Sequence, residues 1–256
     1  RERSIAALWQ VGTPLDGVAA AWQAPNRARG LRTFFAEDGA RVVPFARGAV
    51  RDRWEWGLDP VRFGRAGSFE DGPAGELAVV ESCAEYRRGA LVEWFANGPL
   101  GLQQGFTLER APVGGDGAGP LELALAIRGP LRAELLPHGR GLVFGDPCGE
   151  RVLDYGGLSA WDAAGRTLPA RMRVDGRTVW IVVDDARAVY PVTIDPLITA
   201  EEAELSASDG AAGDAFGVSV SIDGDRALVG ASHDDAAQGS ASVLVRSGTT
   251  WTEAAE

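Results

Sequence analysis

Lysine is absent from the 256-residue chain, so all 25 basic residues are arginine. A GC-rich coding sequence explains this usage, and selection for guanidinium chemistry is the alternative explanation. The 36 acidic residues outnumber the arginines and give a net charge of −11. An acidic chain without basic clusters repels nucleic acids and anionic membranes. The sequence therefore predicts no nucleic-acid partner, whereas a cation or a basic protein is compatible with this charge.

Cysteines and long apolar runs are also scarce. The two cysteines, Cys83 and Cys148, fit no CxxC motif and no metal-ligand spacing. They form either a disulfide in an exported protein or two free thiols, and the sequence leaves both options open. No apolar run reaches the roughly 18 residues that a transmembrane helix needs, so we predict no membrane span.

Catalytic signals are equally few. The two histidines, His138 and His233, belong to no metalloprotease, nucleophile-elbow, Walker or dinucleotide-binding motif. Asp184 and Asp185 are adjacent, and adjacent strand residues point to opposite faces of a sheet, which excludes a paired acid and base. We therefore predict no catalytic residue and expect a protein that is not an enzyme.

The chain is rich in turn-forming residues, with 34 glycines and 14 prolines spread along it. Short apolar runs recur roughly every 8–12 residues, which is typical of an all-β fold. Asp38-Gly39 and Asp175-Gly176 have the sequence of tight hairpin turns. In residues 121–127, leucines and isoleucine alternate onto one face of a strand. We predict an N-terminal segment at residues 1–25 and a β-sandwich-like, β-rich domain at residues 26–198.

Six tryptophans precede residue 170 and allow two interpretations. They either fill the core and edges of a β-sandwich or form an aromatic platform for a ligand, as in carbohydrate-binding modules. Trp54 and Trp56 alternate onto one face of a strand, while Trp94 and Trp161 lie in other strands. Spacing does not separate the two interpretations, but the solvent exposure of these four side chains does.

Residues 204–256 form a different unit. Four short apolar segments joined by tight turns predict one up-and-down sheet of four strands, which is the form of a propeller blade. The unit contains Phe216-Gly217 and Val229-Gly230-Ala231. On these residues it resembles the FG-GAP repeat of integrin-α-like β-propellers, with Ser232 in place of the family's usual proline. The resemblance implies a single propeller-type blade after the β-sandwich-like domain.

The resemblance also implies neighbours for this blade. A lone four-stranded sheet leaves two edges open and cannot bury both faces, which predicts self-association through an edge strand. The sequences EEAE at residues 201–204 and EAAE at residues 253–256 repeat with the period of a blade. We therefore expect the chain to be the N-terminal part of a longer propeller protein, with a signal peptide upstream.

The first candidate site in the repeat is a cation site. In integrin-type repeats the loop after the FG strand binds Ca²⁺, and here this loop contains Asp223 and Asp225. Two carboxylates supply few of the about six to eight oxygens that Ca²⁺ takes. Ca²⁺ held by Asp223 and Asp225 is therefore one expectation, and a plain hairpin turn is the other.

The second candidate site is a rim at one end of the blade. Asp209 and Asp214 precede the first strand, and Asp234 and Asp235 follow the second strand. Because antiparallel hairpins alternate ends, these loops leave the sheet together, at the end opposite to Asp223. We predict that the rim binds a cation or a basic partner, with solvated loop tips as the alternative.

The segment before the blade extends the resemblance. The stretches EYRRGALVEWFANGPLGLQQGFTL and YPVTIDPL are similar to segments that precede such repeats in large exported proteins of high-GC, myxobacteria-like bacteria. We hypothesise a non-enzymatic binding or scaffold protein, outside the cell or on its surface, that adheres to a protein or glycan through its repeat loops. The alternatives are a carbohydrate-binding module of an exported enzyme system and a fragment without independent function.

Overall fold

The computed structural model describes residues 9–11, 21–45, 54–72, 74–80, 83–112, 119–200, 205–223, 225–234, 238–247 and 250–255. These residues form antiparallel strands and one 3-10 turn at Arg27–Arg29, which confirms the all-β prediction. The chain divides into two compact units, residues 1–200 and residues 201–256. Within the described residues, no helix has the length and apolar character needed to cross a bilayer.

The described residues of the first unit form 17 strands. In chain order they are β1 (Trp9–Val11), β2 (Ala21–Asn26), β3 (Leu31–Ala36), β4 (Gly39–Pro44), β5 (Gly57–Arg65), β6 (Ser68–Asp71), β7 (Glu76–Val80), β8 (Cys83–Arg88), β9 (Leu91–Gly98), β10 (Gly101–Leu108), β11 (Leu121–Arg128), β12 (Arg132–Leu135), β13 (Leu142–Gly145), β14 (Arg151–Asp162), β15 (Ala170–Asp175), β16 (Thr178–Val183) and β17 (Val192–Ala200).

These strands form three antiparallel sheets. Their strand orders are β1-β2-β3-β4, then β12-β13-β14-β17-β10-β9-β8-β7, and β15-β16-β11-β5-β6. Both predicted hairpins are present: β3 and β4 flank the Asp38-Gly39 turn, and β15 and β16 flank the Asp175-Gly176 turn. Gly39 and Gly176 have positive φ angles, which a glycine adopts without the steric penalty of a side chain.

One apolar core joins the three sheets of the first unit. Phe35 of the four-stranded sheet packs against Phe95 of the eight-stranded sheet with ring centroids 5.2 Å apart. The alternating face predicted for residues 121–127 is buried in this core. Trp56 packs edge-on against Phe144 at 5.0 Å. The apolar faces of strands from all three sheets therefore meet in one core.

Arg65 and Asp185 form a buried ion pair in the first unit. Arg65, at the end of β5, donates from Nη1 and Nη2 to the two carboxylate oxygens of Asp185, at 2.8 and 2.7 Å. The Tyr190 hydroxyl also donates to Asp185, at 2.5 Å. Burial alone raises the pKa of Asp185, but the hydrogen bonds from Arg65 and Tyr190 outweigh it and hold the pKa below its usual range. Asp184 and Asp185 follow the end of β16 rather than lying within a strand, and Asp184 is exposed whereas Asp185 is buried.

A second buried polar group links two sheets. Gln104 of β10 donates from Nε2 to Glu93 of β9 at 2.8 Å and to the carbonyl oxygen of Leu58 in β5 at 2.9 Å. Arg88 of β8 donates to the other carboxylate oxygen of Glu93 at 3.1 Å. Burial raises the pKa of Glu93 to about 7, against the opposing effects of Arg88 and Gln104. The eight-stranded and five-stranded sheets therefore share a titratable polar contact inside an apolar core.

The backbone at Gly129 passes close to the backbone of Glu55, and a substitution at Gly129 tests this part of the fold. Gly129 follows β11 with φ +83°, and a Cβ built there would lie 1.8 Å from the carbonyl oxygen of Glu55. We expect Gly129→Ala to lower the free energy of unfolding by about 2 kcal/mol, because it adds a backbone clash to left-handed strain. Urea denaturation measures this loss. Gly89→Ala is the control, since Gly89 has φ +67° with no atom within 4 Å of a Cβ. Equal losses in both variants would contradict the role of the clash.

The second unit is one sheet of four strands in sequence order. They are β18 (Phe216–Asp223), β19 (Arg226–Ala231), β20 (Ser240–Ser247) and β21 (Thr250–Ala255). Ala227, Val229 and Leu244 form its small core, against which Leu205, Phe216 and Trp251 pack. This is the up-and-down sheet that the sequence predicts.

The edge strand β18 is mostly uncovered. Val218, Val220 and Ile222 alternate along it, and their side chains are 62%, 56% and 61% exposed. Such an edge is a template for pairing with another chain. Self-association through this edge stays a prediction.

Candidate functional site

The loops predicted to form a rim meet at one end of the second unit. The backbone N–H of His233 donates to the carbonyl oxygen of Asp214 at 3.0 Å, which joins the loop before β18 to the loop after β19. The Asp214 carboxylate accepts from the N–H of Ala211 at 2.5 Å. The Asp234 carboxylate accepts from the Ser240 hydroxyl at 2.5 Å. Both carboxylates are therefore held by short local hydrogen bonds at the same end of the sheet.

The other two predicted rim residues are Asp209 and Asp235. Asp209 is exposed, and its neighbour Ser208 donates its N–H to Glu253 of β21 at 2.8 Å. Asp209 therefore lies by the opposite edge strand from Asp214. Asp235 lies outside the described residues. The structure thus places two of the four predicted rim residues, Asp214 and Asp234, in loops that a backbone hydrogen bond joins.

The backbone at this rim is strained. Ala215 has a φ angle of +57° and is the only non-glycine residue with a positive φ among the described residues. A left-handed conformation costs an alanine about 1–2 kcal/mol. Residues in such conformations cluster at binding and catalytic sites, where the surrounding structure holds them in place. The strain between Asp214 and Phe216 supports the rim as the candidate site of this unit.

The predicted cation site lies at the opposite end of the sheet. Asp223 ends β18 and pairs with Arg226 in the hairpin register. The Asp225 carboxylate accepts a hydrogen bond from Nε of Arg246 at 2.9 Å. The described residues contain no group of three or more His, Cys, Asp or Glu side chains that could hold a metal. These two carboxylates alone fall short of the about six to eight oxygens of a Ca²⁺ site, and calcium binding there stays a prediction.

The aromatic platform predicted as an alternative is wrong for two of its four tryptophans. Trp54 is 9% exposed and Trp56 is 1% exposed, because the apolar core of the first unit covers both rings. Neither indole is available to a ligand. Trp94 and Trp161 are half-buried on the eight-stranded sheet. Sequence alternation alone could not separate these cases, since it does not show which face is covered.

The two cysteines are separate. Cys83 is half-buried in β8 and Cys148 is exposed in a turn. Of the two options left by the sequence, the structure has the one without a disulfide.

Comparison with known families bears on the second unit. Residues 199–244 match the family model of the FG-GAP repeat. The matched residues contain β18, β19 and the first part of β20. Comparison with curated proteins and with solved structures gives no significant match. The second unit is therefore similar to an FG-GAP repeat, as Phe216-Gly217 and Val229-Gly230-Ala231 indicate. Such a repeat suggests a repeat protein of the propeller or adhesion type.

Proposed function

We propose that the chain belongs to an exported, non-enzymatic binding or scaffold protein in which the FG-GAP-like unit makes adhesion-type contacts through its rim. The observation that carries this proposal is that the family match at residues 199–244 contains β18, β19 and the first part of β20 of the four-stranded sheet of the second unit. FG-GAP repeats are typically found in extracellular or surface proteins, which favours export.

The partner class follows from the charge of the rim. Asp214 and Asp234 lie at one end of the sheet, and the chain has a net charge of −11. Opposite charges steer association and fix the orientation of a complex. We propose a protein partner with a basic surface that docks on these loops.

Binding of a fluorescent arginine-rich peptide to the full chain tests the rim. We expect the double variant Asp214→Asn, Asp234→Asn to bind about 5-fold more weakly at low ionic strength, because two charge contacts between the rim and the peptide are lost. High ionic strength should remove the difference, since exposed charges are screened. Fluorescence anisotropy measures both effects.

A matched control removes two charges from the other end of the same sheet. Asp223→Asn with Asp225→Asn is expected to change peptide affinity by about 2-fold or less. Equal losses in the two double variants would show that only net charge matters and would contradict a rim site. Antibody labelling of intact cells that produce the protein tests export, and labelling only after lysis would contradict it.

A further inference from the structure

The eight-stranded sheet has an outer face that the core does not cover. Phe95, Phe106 and Ile194 of its central strands are at most 2% exposed, inside the core. Their sequence neighbours Trp94 and Asp195 therefore lie on the opposite face, and both are half-buried. We name this surface the Trp94 face, and its defining residues are Trp94, Gln103, Ser159, Trp161, Asp195 and Leu197.

The strand register arranges these side chains in rows. Trp94 of β9 lies opposite Gly105 of β10, and Asp195 of β17 lies opposite Ser159 of β14. Gln103 of β10 lies opposite Leu197 of β17, so the same register places Gly105 beside Asp195. An aromatic ring, a gap without a side chain, a carboxylate and a hydroxyl thus follow one another across four strands.

The Trp94 ring occupies the gap above Gly105. A Cβ built on Gly105 would lie 1.9 Å from Cζ2 of the indole, so the ring covers the backbone of β10. The indole Nε1 donates to the Thr107 hydroxyl at 3.2 Å, which fixes the orientation of the ring. Trp94 is half-buried, so part of this fixed aromatic side chain is open to solvent on the outer face of the sheet.

A cleft of about 270 Å³ lies on the same face of the sheet, lined by Asp195 and its neighbours. Gln103, Ser159 and Asp195 supply its polar groups, and Leu100 and Leu197 supply apolar walls. Leu100 is 65% exposed at the turn between β9 and β10. Nε2 of Gln103 donates to the two carboxylate oxygens of Asp195 at 3.1 and 3.2 Å. A ligand hydroxyl can replace this shared hydrogen bond without leaving either side chain unpaired.

We propose that the Trp94 face binds a neutral oligosaccharide, with one sugar ring on Trp94 and the next ring in the cleft at Asp195 and Gln103. A pyranose ring has an apolar face of C–H groups and a rim of hydroxyls. The Trp94 indole stacks against the apolar C–H face of the pyranose ring. The carboxylate accepts hydrogen bonds from hydroxyls, and the amide both donates and accepts.

The length and the charge of the ligand follow from the same face. Trp161 lies on it three strand spacings from Trp94, about 15 Å away, which favours an extended chain over a single sugar. Glu85 lies opposite Trp94, on the side away from Asp195. Glu85 is paired with Arg87 at 2.9 Å, so the Asp195 carboxylate is the group that disfavours uronic acids and sulfated sugars. The site lies in the first unit and does not depend on the function proposed for the second.

Calorimetric titration of the full chain tests the proposal. The probes are maltohexaose, cellohexaose, xylohexaose and chitohexaose, with polygalacturonate as the anionic comparison. We expect at least one neutral probe to bind. Trp94→Ala should then weaken its affinity about 10-fold, from the loss of one aromatic contact. Gly105→Ala, which pushes the ring off the sheet, and Asp195→Asn should each weaken it about 5-fold, from the loss of part of the contact.

Two controls separate binding from folding. Trp251→Ala changes a half-buried indole of the second unit and is expected to leave sugar affinity unchanged. Asp195→Asn conserves shape, so thermal melting is expected to match the wild type while binding falls. The proposal is overturned by the absence of binding to every neutral probe, by tighter binding of polygalacturonate, or by unchanged affinity in both Trp94→Ala and Asp195→Asn.

Discussion

Replacement of Asp185 by alanine is expected to lower the free energy of unfolding of the first unit by about 3–5 kcal/mol. The side chains of Asp185 and Arg65 are 0% and 9% exposed. Removal of the carboxylate leaves the guanidinium charge buried with one described acceptor, the carbonyl oxygen of Gly119 at 2.7 Å. The effect is therefore the cost of an uncompensated charge in the interior, and not only the loss of two hydrogen bonds.

Urea denaturation followed by tryptophan fluorescence measures this loss. Seven of the eight tryptophans lie in residues 1–200, so the signal reports mainly on the first unit. The double variant with Arg65→Met should recover part of the stability, because no buried charge is left.

An exposed ion pair provides the control for Asp185. Asp154→Ala removes the partner of Arg151, whose side chain is 46% exposed. We expect this change to cost less than about 1 kcal/mol, because water screens the pair. A loss of unfolding free energy in Asp185→Ala no larger than the loss in Asp154→Ala would contradict the predicted cost of a buried, uncompensated charge.

The second large effect is a dependence of stability on pH that comes from Glu93. Burial raises its pKa from 4.5 to about 7. The unfolded chain therefore releases the Glu93 proton near pH 4.5, whereas the folded chain keeps it until about pH 7. Unfolding in this interval releases a proton, so rising pH favours the unfolded state. We expect the wild type to lose about 3 kcal/mol relative to Glu93→Gln between these two pH values.

Urea denaturation of both proteins across pH 4–8.5 measures the relative slope, with about 1.4 kcal/mol per pH unit as the limit for one proton. Below pH 4.5 and above pH 7 the two curves should run parallel, because folded and unfolded Glu93 have the same charge there. Glu85→Gln removes one carboxylate from the outer face of the same sheet and controls for net charge. Parallel curves for wild type and Glu93→Gln over the whole range would contradict a neutral, buried Glu93.

Local features of the fold follow from the sequence because they depend on neighbouring residues. The Asp38-Gly39 and Asp175-Gly176 turns fix two hairpins, since tight turns with positive φ angles need glycine. The alternation in residues 121–127 fixes a buried face, because side chains of a strand point alternately to its two sides. The order of the four strands in the second unit is also a local feature, because each strand pairs with the next one along the chain.

Long-range features could not be predicted in this way. Arg65 and Asp185 are 120 residues apart, and no local pattern connects them. The pairing of β10 with β17 joins segments from distant parts of the chain. Which strands meet depends on the packing of whole sheets, and this packing also buries Trp54 and Trp56. Alternation gave these two tryptophans a common face without showing that the core would cover it.

The candidate sites show the same division. The rim of Asp214 and Asp234 follows from hairpin geometry, whereas the surroundings of Asp195 depend on strands brought together by the fold. Two signals in the sequence mark groups that the sequence analysis did not identify. Glu93 occupies an inward position between Leu91 and Phe95, and a carboxylate in an apolar alternation marks a buried polar group. Gly105 within a strand marks a close approach by another group.

The uncovered edge of β18 has a consequence for solubility. Val218, Val220 and Ile222 alternate with small residues along it, and such a segment of high β-propensity and low charge is a seed for cross-β fibrils. Asp223 ends the strand and Arg226 lies opposite it, and charges in these positions are expected to discourage stacking of copies. Protection against fibril growth is therefore reason enough for charges at this hairpin, whether or not any ligand touches them.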